Sequence, residues 1–255
     1  MRLSARPAPP WPAGTARHVL TSVDSTNAEA ARLALSLTGP AWILAGAQTA
    51  GRGRRARAWA SPPGNFHATV IFQPETPPAQ AALYSFAASL ALRDALVSLT
   101  NLPQAFTLKW PNDVLLNKGK LAGILLESTS HGTQLGHLAA GFGVNLIAAP
   151  DPALLDPDAL TPVTLLEQTG HRITPETLLD HLAPAFAART AQLTTGFAGT
   201  RSDWLAHASH LGQLIRARTA QHTHHGTFTT LDDTGALILQ SPQGALAISA
   251  AEVFF

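Results

Sequence analysis

The sequence predicts an α+β fold with one large domain followed by a small C-terminal β-barrel. The stretch Ala79–Leu99 carries apolar residues at roughly helical spacing, which predicts a long helix. Short apolar runs separated by Gly, Pro, Asn and Asp predict strands joined by turns on both sides of this helix. From about Gly212 only such short runs remain, so we expect a domain boundary near residue 210.

The elements of the large domain follow in chain order. Residues 1–17 hold four prolines and predict a loose leader. A helix is predicted to begin near Asp24 or Ser25, because Ser25-Thr26-Asn27 supplies capping side chains, and Gly39-Pro40 ends it. Residues 50–64 predict a loop that contains four arginines. Strands are predicted over Trp42–Gln48, Phe66–Phe72, Phe106–Trp110, Val114–Leu116, Leu121–Glu127 and Leu135–Leu146, and further helices over Val163–Gln168, Pro175–Leu193 and Phe197–Ala208.

The C-terminal barrel is predicted from short strands separated by Gly, Asp and Pro-Gln-Gly turns. These strands are Leu214–Thr219, Gly226–Asp232, Ala236–Gln240 and Ala245–Ile248. The predicted organisation is a leader at residues 1–17, a main domain at 18–209 and a C-terminal domain at 210–255.

Composition excludes several classes of function. Of the 255 residues 45% are hydrophobic and 13% charged, so the chain can bury a substantial core. The formal net charge of +1 provides no overall field that attracts nucleic acid. The absence of cysteine excludes disulfides, thiolate zinc sites and cysteine nucleophiles. We see no signal peptide and no apolar run of about 18 residues, and we therefore expect a cytoplasmic protein.

The heptapeptide Gly51–Arg57, called the arginine loop below, holds four of the chain's 17 Lys and Arg residues. It matches the dinucleotide-binding pattern G-x-G-x-x-A, but Pro62-Pro63 prevents the helix that this pattern requires. The loop is then either a basic surface loop or an anion site. In an anion site the glycines allow close approach and the arginines offer forked donors to phosphate oxygens. Such a loop is disordered by self-repulsion when empty, and Trp59 beyond it offers an aromatic face to a base.

The segment Lys109–Asp113 (KWPND) puts a cation, an indole and a carboxylate at a strand end, and Lys120 follows. A hairpin with solvated lysines explains Lys118, but it explains Trp110-Pro111 less well. The set fits a phosphate site, because Asp113 can help to hold Mg²⁺ on a triphosphate. Lys120 can neutralise an attacking carboxylate and the α-phosphate as charge develops.

Taken together, the motifs resemble the biotin–protein ligase family. They are Ser25-Thr26-Asn27, Gln48 followed by the arginine loop, Lys109–Asp113, Lys120–Leu125 and Gly141–Asn145, and they stand in the family's order. The resemblance extends from about Thr21 to the C-terminus. It implies a class II synthetase-like catalytic domain, in which a mixed β-sheet carries helices on one face, plus a C-terminal SH3-like barrel.

The resemblance also implies a two-step reaction. The carboxylate of biotin attacks the α-phosphate of MgATP, which gives biotinyl-AMP and pyrophosphate. A lysine of a biotin carboxyl carrier domain then attacks the mixed anhydride and releases AMP. Biotin, ATP and Mg²⁺ are therefore the expected ligands, and the carrier domain of a biotin-dependent carboxylase is the expected partner. We expect no specific DNA binding and no membrane contact, and either a monomer or a homodimer.

Residue roles carry over from the family by position. Lys120, Arg54 and Asp113 are the expected catalytic residues, and Asp113 is the one expected near the metal. The expected biotin-binding residues are Ser25, Thr26, Asn27, Gln48, Arg52, Gly53, Arg54, Lys120 and Gly123. Contacts to ATP or the adenylate are expected from Arg54, Arg55, Arg57, Trp59, Lys109, Asn112, Asp113 and Asn145.

The chain departs from the family pattern at three places. Ala56 replaces the glycine of GRGRRGR, which restricts the loop if that position needs a positive φ. Residues Asn65-Phe66-His67-Ala68 replace the more familiar asparagine-leucine-tyrosine pattern. Ala251-Glu252-Val253 lacks a glycine that is common near the C-terminus.

Three other functions compete with this interpretation. Some relatives carry an N-terminal helix-turn-helix and act as repressors, but the motifs here begin at residue 21 and leave no room for one. A lipoate ligase is the nearest enzymatic rival, although its arginine-pair and glycine-rich signature is missing. A non-catalytic biotin-binding module is the rival from another class, and Lys120 and Asp113 argue against it.

Several further residues have two interpretations. His222, His224 and His225 fit a hairpin turn better than a metal site, because no clear carboxylate set completes a coordination sphere. Glu127 is either functional or a strand-end carboxylate that faces water. The remaining tryptophans are expected to pack rather than to bind ligand; they are Trp11, Trp42 and Trp204.

Overall fold

The structure of the chain, a computed structural model, describes residues 7–131, 134–154, 156 and 158–255. The strands are β1 (Ala16–Leu20), β2 (Ala41–Ala45), β3 (Phe66–Phe72), β4 (Phe106–Lys109), β5 (Asp113–Leu116), β6 (Gly119–His131), β7 (Gln134–Val144), β8 (Leu214–Arg218), β9 (Thr223–Leu231), β10 (Leu237–Ser241), β11 (Gly244–Ile248) and β12 (Glu252–Phe254). The α-helices are α1 (Thr26–Leu33), α2 (Tyr84–Thr100), α3 (Leu165–Thr169), α4 (Pro175–Leu193) and α5 (Phe197–Ala206). Short 3-10 turns cover Ala34–Ser36, Arg54–Ala56, Pro78–Leu83 and Pro152–Leu154.

Most elements predicted from the sequence are confirmed, with ends that shift by a few residues. Strand β3 and helix α4 have the predicted limits, and the predicted long helix is α2 preceded by a 3-10 turn. Two strands, β1 and β12, lie outside the predictions. Strand β1 includes the last two residues of the predicted leader, because Ala16 and Arg17 pair in parallel with β2.

The large sheet has the strand order β1-β2-β3-β7-β6-β5-β4. Strands β1 and β2 run parallel and all other neighbours run antiparallel, so the sheet is mixed, as predicted. In the centre, Thr69 of β3 pairs with Gly141 of β7. Because side chains alternate between the two faces of a strand, Phe66 and Ala68 face the main core while His67 and Thr69 face the other side.

The helices do not all lie on one face of this sheet. Helices α2 and α4 pack together over the main core, as the prediction requires. Helix α1 packs on the opposite face, where its Ala30 joins a small cluster with Ile43 and Ile71. The prediction of helices on one face is therefore wrong for α1. Its first turn carries polar residues that reach across the second face, as described below for the site.

One helical segment, Pro78–Thr100, is long and apolar enough by length and composition to cross a membrane. However, 78% of that apolar window is buried inside the protein. This burial is what the core helix of a folded domain requires.

The C-terminal sheet is antiparallel with the order β11-β10-β9-β8-β12. In the described part of the chain β11 and β12 do not pair with each other, so the predicted barrel is not closed. Strand β12 has only three residues, and they pair with β8 beside the cavity described below. The sheet shares its core with the large domain, since Ile215, Phe228 and Leu237 belong to the same buried cluster as α2.

Candidate active site

A cavity of about 570 Å³ lies between the second face of the large sheet, the arginine loop and the C-terminal strand β12. Every residue that the sequence assigned to the site lines it. These residues are Ser25, Thr26, Asn27, Gln48, Arg52, Gly53, Arg54, Arg55, Arg57, Trp59, Lys109, Asn112, Asp113, Lys120, Gly123 and Asn145. The far C-terminus also contributes, through Ala251–Phe255, which the sequence did not indicate.

Glycines on β6 and β7 form the floor of this cavity. A Cβ atom on Gly141 would collide with the side-chain oxygen of Asn27. A Cβ on Gly143 would lie 2.5 Å from the indole Nε1 of Trp59, and one on Gly123 would lie 3.3 Å from its ring. The glycines therefore leave the room that Asn27 and Trp59 occupy above the sheet.

Polar side chains from α1 form one end of the cavity. Ser25 stands at the N-cap position of α1, but its side chain makes no capping bond to any described residue. The backbone amide of Thr26 donates to Gln48 Oε1 at 2.8 Å. The capping role expected from Ser25-Thr26-Asn27 is thus not seen, and the side chains of Thr26 and Asn27 instead contact Thr69 of the sheet.

A hydrogen-bonded chain continues from this turn across the sheet. The Thr69 hydroxyl lies 2.6 Å from Asn27 Oδ1, and Asn27 Nδ2 donates to Glu127 Oε2 at 2.8 Å. Glu127 in turn pairs with Arg52 at 3.2 Å. Glu127 therefore connects the arginine loop to Asn27, while its side chain stays 38% exposed, so both interpretations of this residue remain open.

Asp113 lies between two lysines at the other end of the cavity. Its Oδ1 is 2.9 Å from Lys120 Nζ, and its Oδ2 is 3.8 Å from Lys109 Nζ. Lys109 and Asp113 are 8% and 7% exposed, whereas the Lys120 side chain is 32% exposed, so two of the three members of the cluster are buried. Burial lowers the pKa of the Lys109 ammonium. A site of this kind, with more positive than negative charge at low exposure, attracts an anion strongly.

The KWPND segment is held firmly from two sides. Trp110 is buried and donates its indole N–H to the Gly235 carbonyl at 3.0 Å, which ties the segment to the β9–β10 turn. Asn112 donates to the Ile124 carbonyl at 2.5 Å and lies 3.5 Å from the Arg54 guanidinium. Asn145 is 2% exposed, and its backbone amide donates to Leu121 at 2.9 Å.

The arginine loop is a small hairpin. The Trp59 amide donates to Gly51 at 2.9 Å, and the Gly53 amide donates to Arg57 at 2.8 Å. The left-handed position within it is Arg55, with φ of 56°. The positive φ that was considered for Ala56 is therefore found at the preceding residue, Arg55. This backbone conformation is strained for a residue other than glycine.

Glu252 of β12 holds the outer side of the arginine loop. It accepts two hydrogen bonds from Arg57, at 2.6 and 2.5 Å, and lies 3.7 Å from Arg55. The hydrogen bonds from Arg57 lower the pKa of Glu252 to about 2. The sequence showed only a missing glycine at this point; a carboxylate in the last strand has no local signal that connects it with a loop far away.

The remaining predictions for single residues have clear outcomes. Trp42 and Trp204 are buried in the core and Trp11 packs against it, as expected. His222 lies in a turn, but His224 and His225 belong to β9, so the hairpin-turn prediction is wrong for these two. Among the residues that the structure describes, no group of three or more His, Asp or Glu could hold a metal ion.

Comparison with known proteins identifies the class to which this fold and cavity belong. Residues 19–145 match the Biotin/lipoate A/B protein ligase family, and residues 210–255 match the Biotin protein ligase C terminal domain. The chain is similar to a biotin–[acetyl-CoA-carboxylase] ligase of Paracoccus denitrificans, with 52% identity over 93% of this chain and 99% of the relative. A ligase of the same description from Mycobacterium tuberculosis is 32% identical over 92% of this chain and 87% of its own length.

The chain therefore belongs to the biotin protein ligase family. Its fold is also that of a solved biotin protein ligase from Aquifex aeolicus in complex with biotin and ATP. The TM-score is 0.80 at 23% identity, with 93% of this chain and 97% of the other covered. The alternative that the chain is a lipoate ligase loses its support. The C-terminal residues match a biotin protein ligase domain, and both relatives are biotin ligases.

Proposed function

We propose that this protein activates biotin with MgATP and transfers the biotinyl group to a lysine of a biotin carboxyl carrier domain. In the first step a carboxylate oxygen of biotin bonds to the α-phosphorus, and pyrophosphate leaves. In the second step the amine of the carrier lysine bonds to the acyl carbon, AMP leaves, and the amine proton passes to solvent. The proposal rests on one observation: a single cavity extends from the polar side chains of α1 to the lysine cluster, which consists of Lys109, Asp113 and Lys120.

The α1 end of the cavity supplies the biotin site. The side chains of Ser25, Thr26, Asn27 and Gln48 offer the donors and acceptors that a ureido ring requires. Arg52 and Gly53 of the arginine loop and Gly123 of the floor complete the proposed pocket. Asn27 is fixed by Thr69, Glu127 and Leu125, which occupy both amide hydrogens. The remaining lone pair of Oδ1 is therefore a pre-oriented acceptor, and Asn27 loses little entropy on binding.

The lysine cluster supplies the reaction centre. Lys120 neutralises the biotin carboxylate and the α-phosphate as they approach, and this lowers the barrier through charge stabilisation. Asp113 orients Lys120 through the 2.9 Å ion pair and would help to hold the Mg²⁺ of the triphosphate, which would offset phosphate charge. Arg54, half-buried and next to Asn112, is the third proposed catalytic residue.

Nucleotide contacts are proposed along the loop side of the cavity. Arg55 and Arg57 offer donors to phosphate oxygens, and Trp59 offers a ring face to adenine. Lys109, Asn112 and Asn145 line the same side. Closing the loop over the adenylate would keep water away from the mixed anhydride.

Three further features of the protein remain proposals. We assign residues 18–209 to the catalytic domain and 210–255 to the C-terminal domain, with 1–17 as a leader that ends in β1. The carrier domain is the proposed partner, without specific DNA binding or membrane contact, and the protein acts as a monomer or homodimer. The cytoplasm is the proposed location, because the reaction consumes ATP.

The test is a transfer assay. The protein is incubated with biotin, MgATP and a biotin carboxyl carrier domain, and the carrier mass is measured; lipoate replaces biotin in a matched reaction. We expect the carrier to gain one biotinyl group and no lipoyl group. An unchanged carrier mass, under conditions where a known biotin ligase modifies the carrier, would refute transfer. If biotin-dependent ATP–pyrophosphate exchange were also absent, the protein would be a non-catalytic biotin-binding module.

A further inference from the structure

Two buried polar atoms near the cavity have no hydrogen-bond partner among the described residues. One is the indole Nε1 of Trp59, and the other is Nδ1 of His67. Indole N–H is a donor only. An unpaired buried donor or acceptor costs free energy, so a state in which both atoms are satisfied is favoured.

The register of the sheet brings these two atoms into one row. His67 of β3 pairs with Gly143 of β7, and Gly143 pairs with Gly123 of β6. His67 shares the face of Thr69, which contacts Asn27 on the cavity side. The Trp59 indole lies on this row, with Nε1 above Gly143 and its benzo edge above Gly123. The Nε1 edge of the ring therefore points toward the strand that carries His67.

The tautomer of His67 follows from its other nitrogen. His67 Nε2 lies 3.2 Å from the carbonyl oxygen of Pro62, and a carbonyl can only accept, so Nε2 carries the proton. His67 is 1% exposed, and burial lowers the pKa of its imidazole, which keeps the ring neutral. Nδ1 is then an acceptor, complementary to the donor on Trp59.

We propose that His67 is a positioning residue, and that its Nδ1 accepts the indole N–H of Trp59 when nucleotide binds. The bond fixes the rotation of the indole, so that one ring face is presented to the adenine base. His67 also holds Pro62, so it links the indole to the base of the arginine loop. This inference rests on the proposed function, because it assumes that Trp59 belongs to the nucleotide side.

The first test observes the indole directly and needs no turnover. The chain has five tryptophans, and ¹⁵N-labelled protein gives one indole signal for each; Trp59→Phe identifies that of Trp59. Spectra are recorded with biotin and the non-cleavable α,β-methylene-ATP. We expect His67→Gln, which keeps a donor for Pro62 but removes Nδ1, to shift the Trp59 signal. His67→Asn, which keeps an acceptor near the Nδ1 position, should leave this signal close to its original place.

The second test uses initial rates of pyrophosphate release. One lost hydrogen bond should raise the KM for ATP about five-fold in His67→Gln, while the KM for biotin and kcat stay unchanged. In a Trp59→Phe background His67→Gln should have no further effect, because the donor is already gone. The matched control is His181→Gln, which changes another buried histidine, 4% exposed and outside the cavity, and should leave all three constants unchanged.

The proposal is overturned if the Trp59 signal does not respond to His67→Gln, or if the rise in KM persists in the Trp59→Phe background. If His67→Gln does not fold, His67→Asn alone decides: it must preserve both the indole signal and the KM for ATP. A wild-type protein that binds both ligands but never modifies the carrier would refute the transfer reaction, while the indole signal would still test His67.

Discussion

The two walls of the cavity are built in different ways. The sheet wall carries Lys109, Asp113 and Lys120 on neighbouring strands, with the first two residues nearly buried. The loop wall is a short hairpin in which Arg52 and Arg57 are exposed and pair with Glu127 and Glu252. The sheet wall is fixed by the fold, whereas the loop wall is held by ion pairs at the surface.

This difference separates two tasks in the proposed reaction. Charges that stabilise a transition state must be in place beforehand, and a cluster held on neighbouring strands of the sheet provides this. A cover over a reactive intermediate must open to admit ligands, and exposed ion pairs that are each worth little can be broken and formed again. Changes on the sheet wall should therefore affect the chemical step, and changes on the loop wall should affect retention and binding.

The largest effect is expected for Lys120→Ala. Adenylate formation should slow about 100- to 1000-fold, because the charge that meets the carboxylate and the α-phosphate is lost. The melting temperature should change little, since the lysine side chain is 32% exposed. Biotin-dependent pyrophosphate release measures the rate. Lys118→Ala, an exposed turn lysine, is the control and should be normal; a Lys120→Ala rate within a few-fold of wild type would remove Lys120 from the mechanism.

Arg54→Gly should act on retention more than on formation. Adenylate formation remains partly intact, but the loss of a charged donor should speed the release of biotinyl-AMP about 10- to 100-fold. Free adenylate then labels bystander lysines, which is measured on an added unrelated protein. Arg201→Gly, which pairs with Asp233 outside the cavity, provides the control.

Ligand should also protect the loop in the wild-type protein. Trypsin cleavage between Arg52 and Arg57 should decrease with biotin plus MgATP. The arginines were expected to repel one another, but Glu127 and Glu252 offset much of that repulsion. The contrast between the two states should therefore be modest, and equal cleavage rates would contradict closure of the loop on ligand.

A smaller effect is expected for Glu252→Gln. The outer side of the loop is released, so the KM for ATP should rise about two- to five-fold, with little change in kcat. Asp233→Asn, which removes a carboxylate of the β9–β10 turn whose side chain is 92% exposed, is the control. A ten-fold loss of kcat in Glu252→Gln would show that Glu252 acts in the chemical step rather than in binding.

The smallest effect concerns stability against pH. The pKa of Glu252 is about 2 in the folded protein, against an ordinary value of 4.5, so its pairing stabilises the fold above the ordinary value. That contribution is lost as the pH falls through the folded pKa. Because the arginine partners are partly exposed, it should amount to no more than about 1 kcal/mol. Wild type and Glu252→Gln should differ in melting temperature at pH 6 and converge near pH 2.

Much of the site could be predicted from the sequence because its motifs are contiguous. The chemistry of the arginine loop and of KWPND resides in a few consecutive residues, and the four arginines of the loop and all of KWPND line one cavity. The long helix was predictable for the same reason, since its periodicity is local. By contrast, the three-residue strand β12 is too short for any periodic signal, and the parallel pairing of β1 with β2 joins segments that share no pattern.

The sequence by itself determined the family, the residues that line the cavity and most of the helices and strands, because each is encoded over a short stretch. Only the tertiary structure decided that α1 packs on the second face of the sheet, and that Trp59 lies above Gly143, the residue that pairs with His67. It also decided that Glu252 holds Arg57, a residue 195 positions earlier in the chain. Such contacts arise from packing between distant segments, where burial and complementary charge select a partner that no local pattern can indicate.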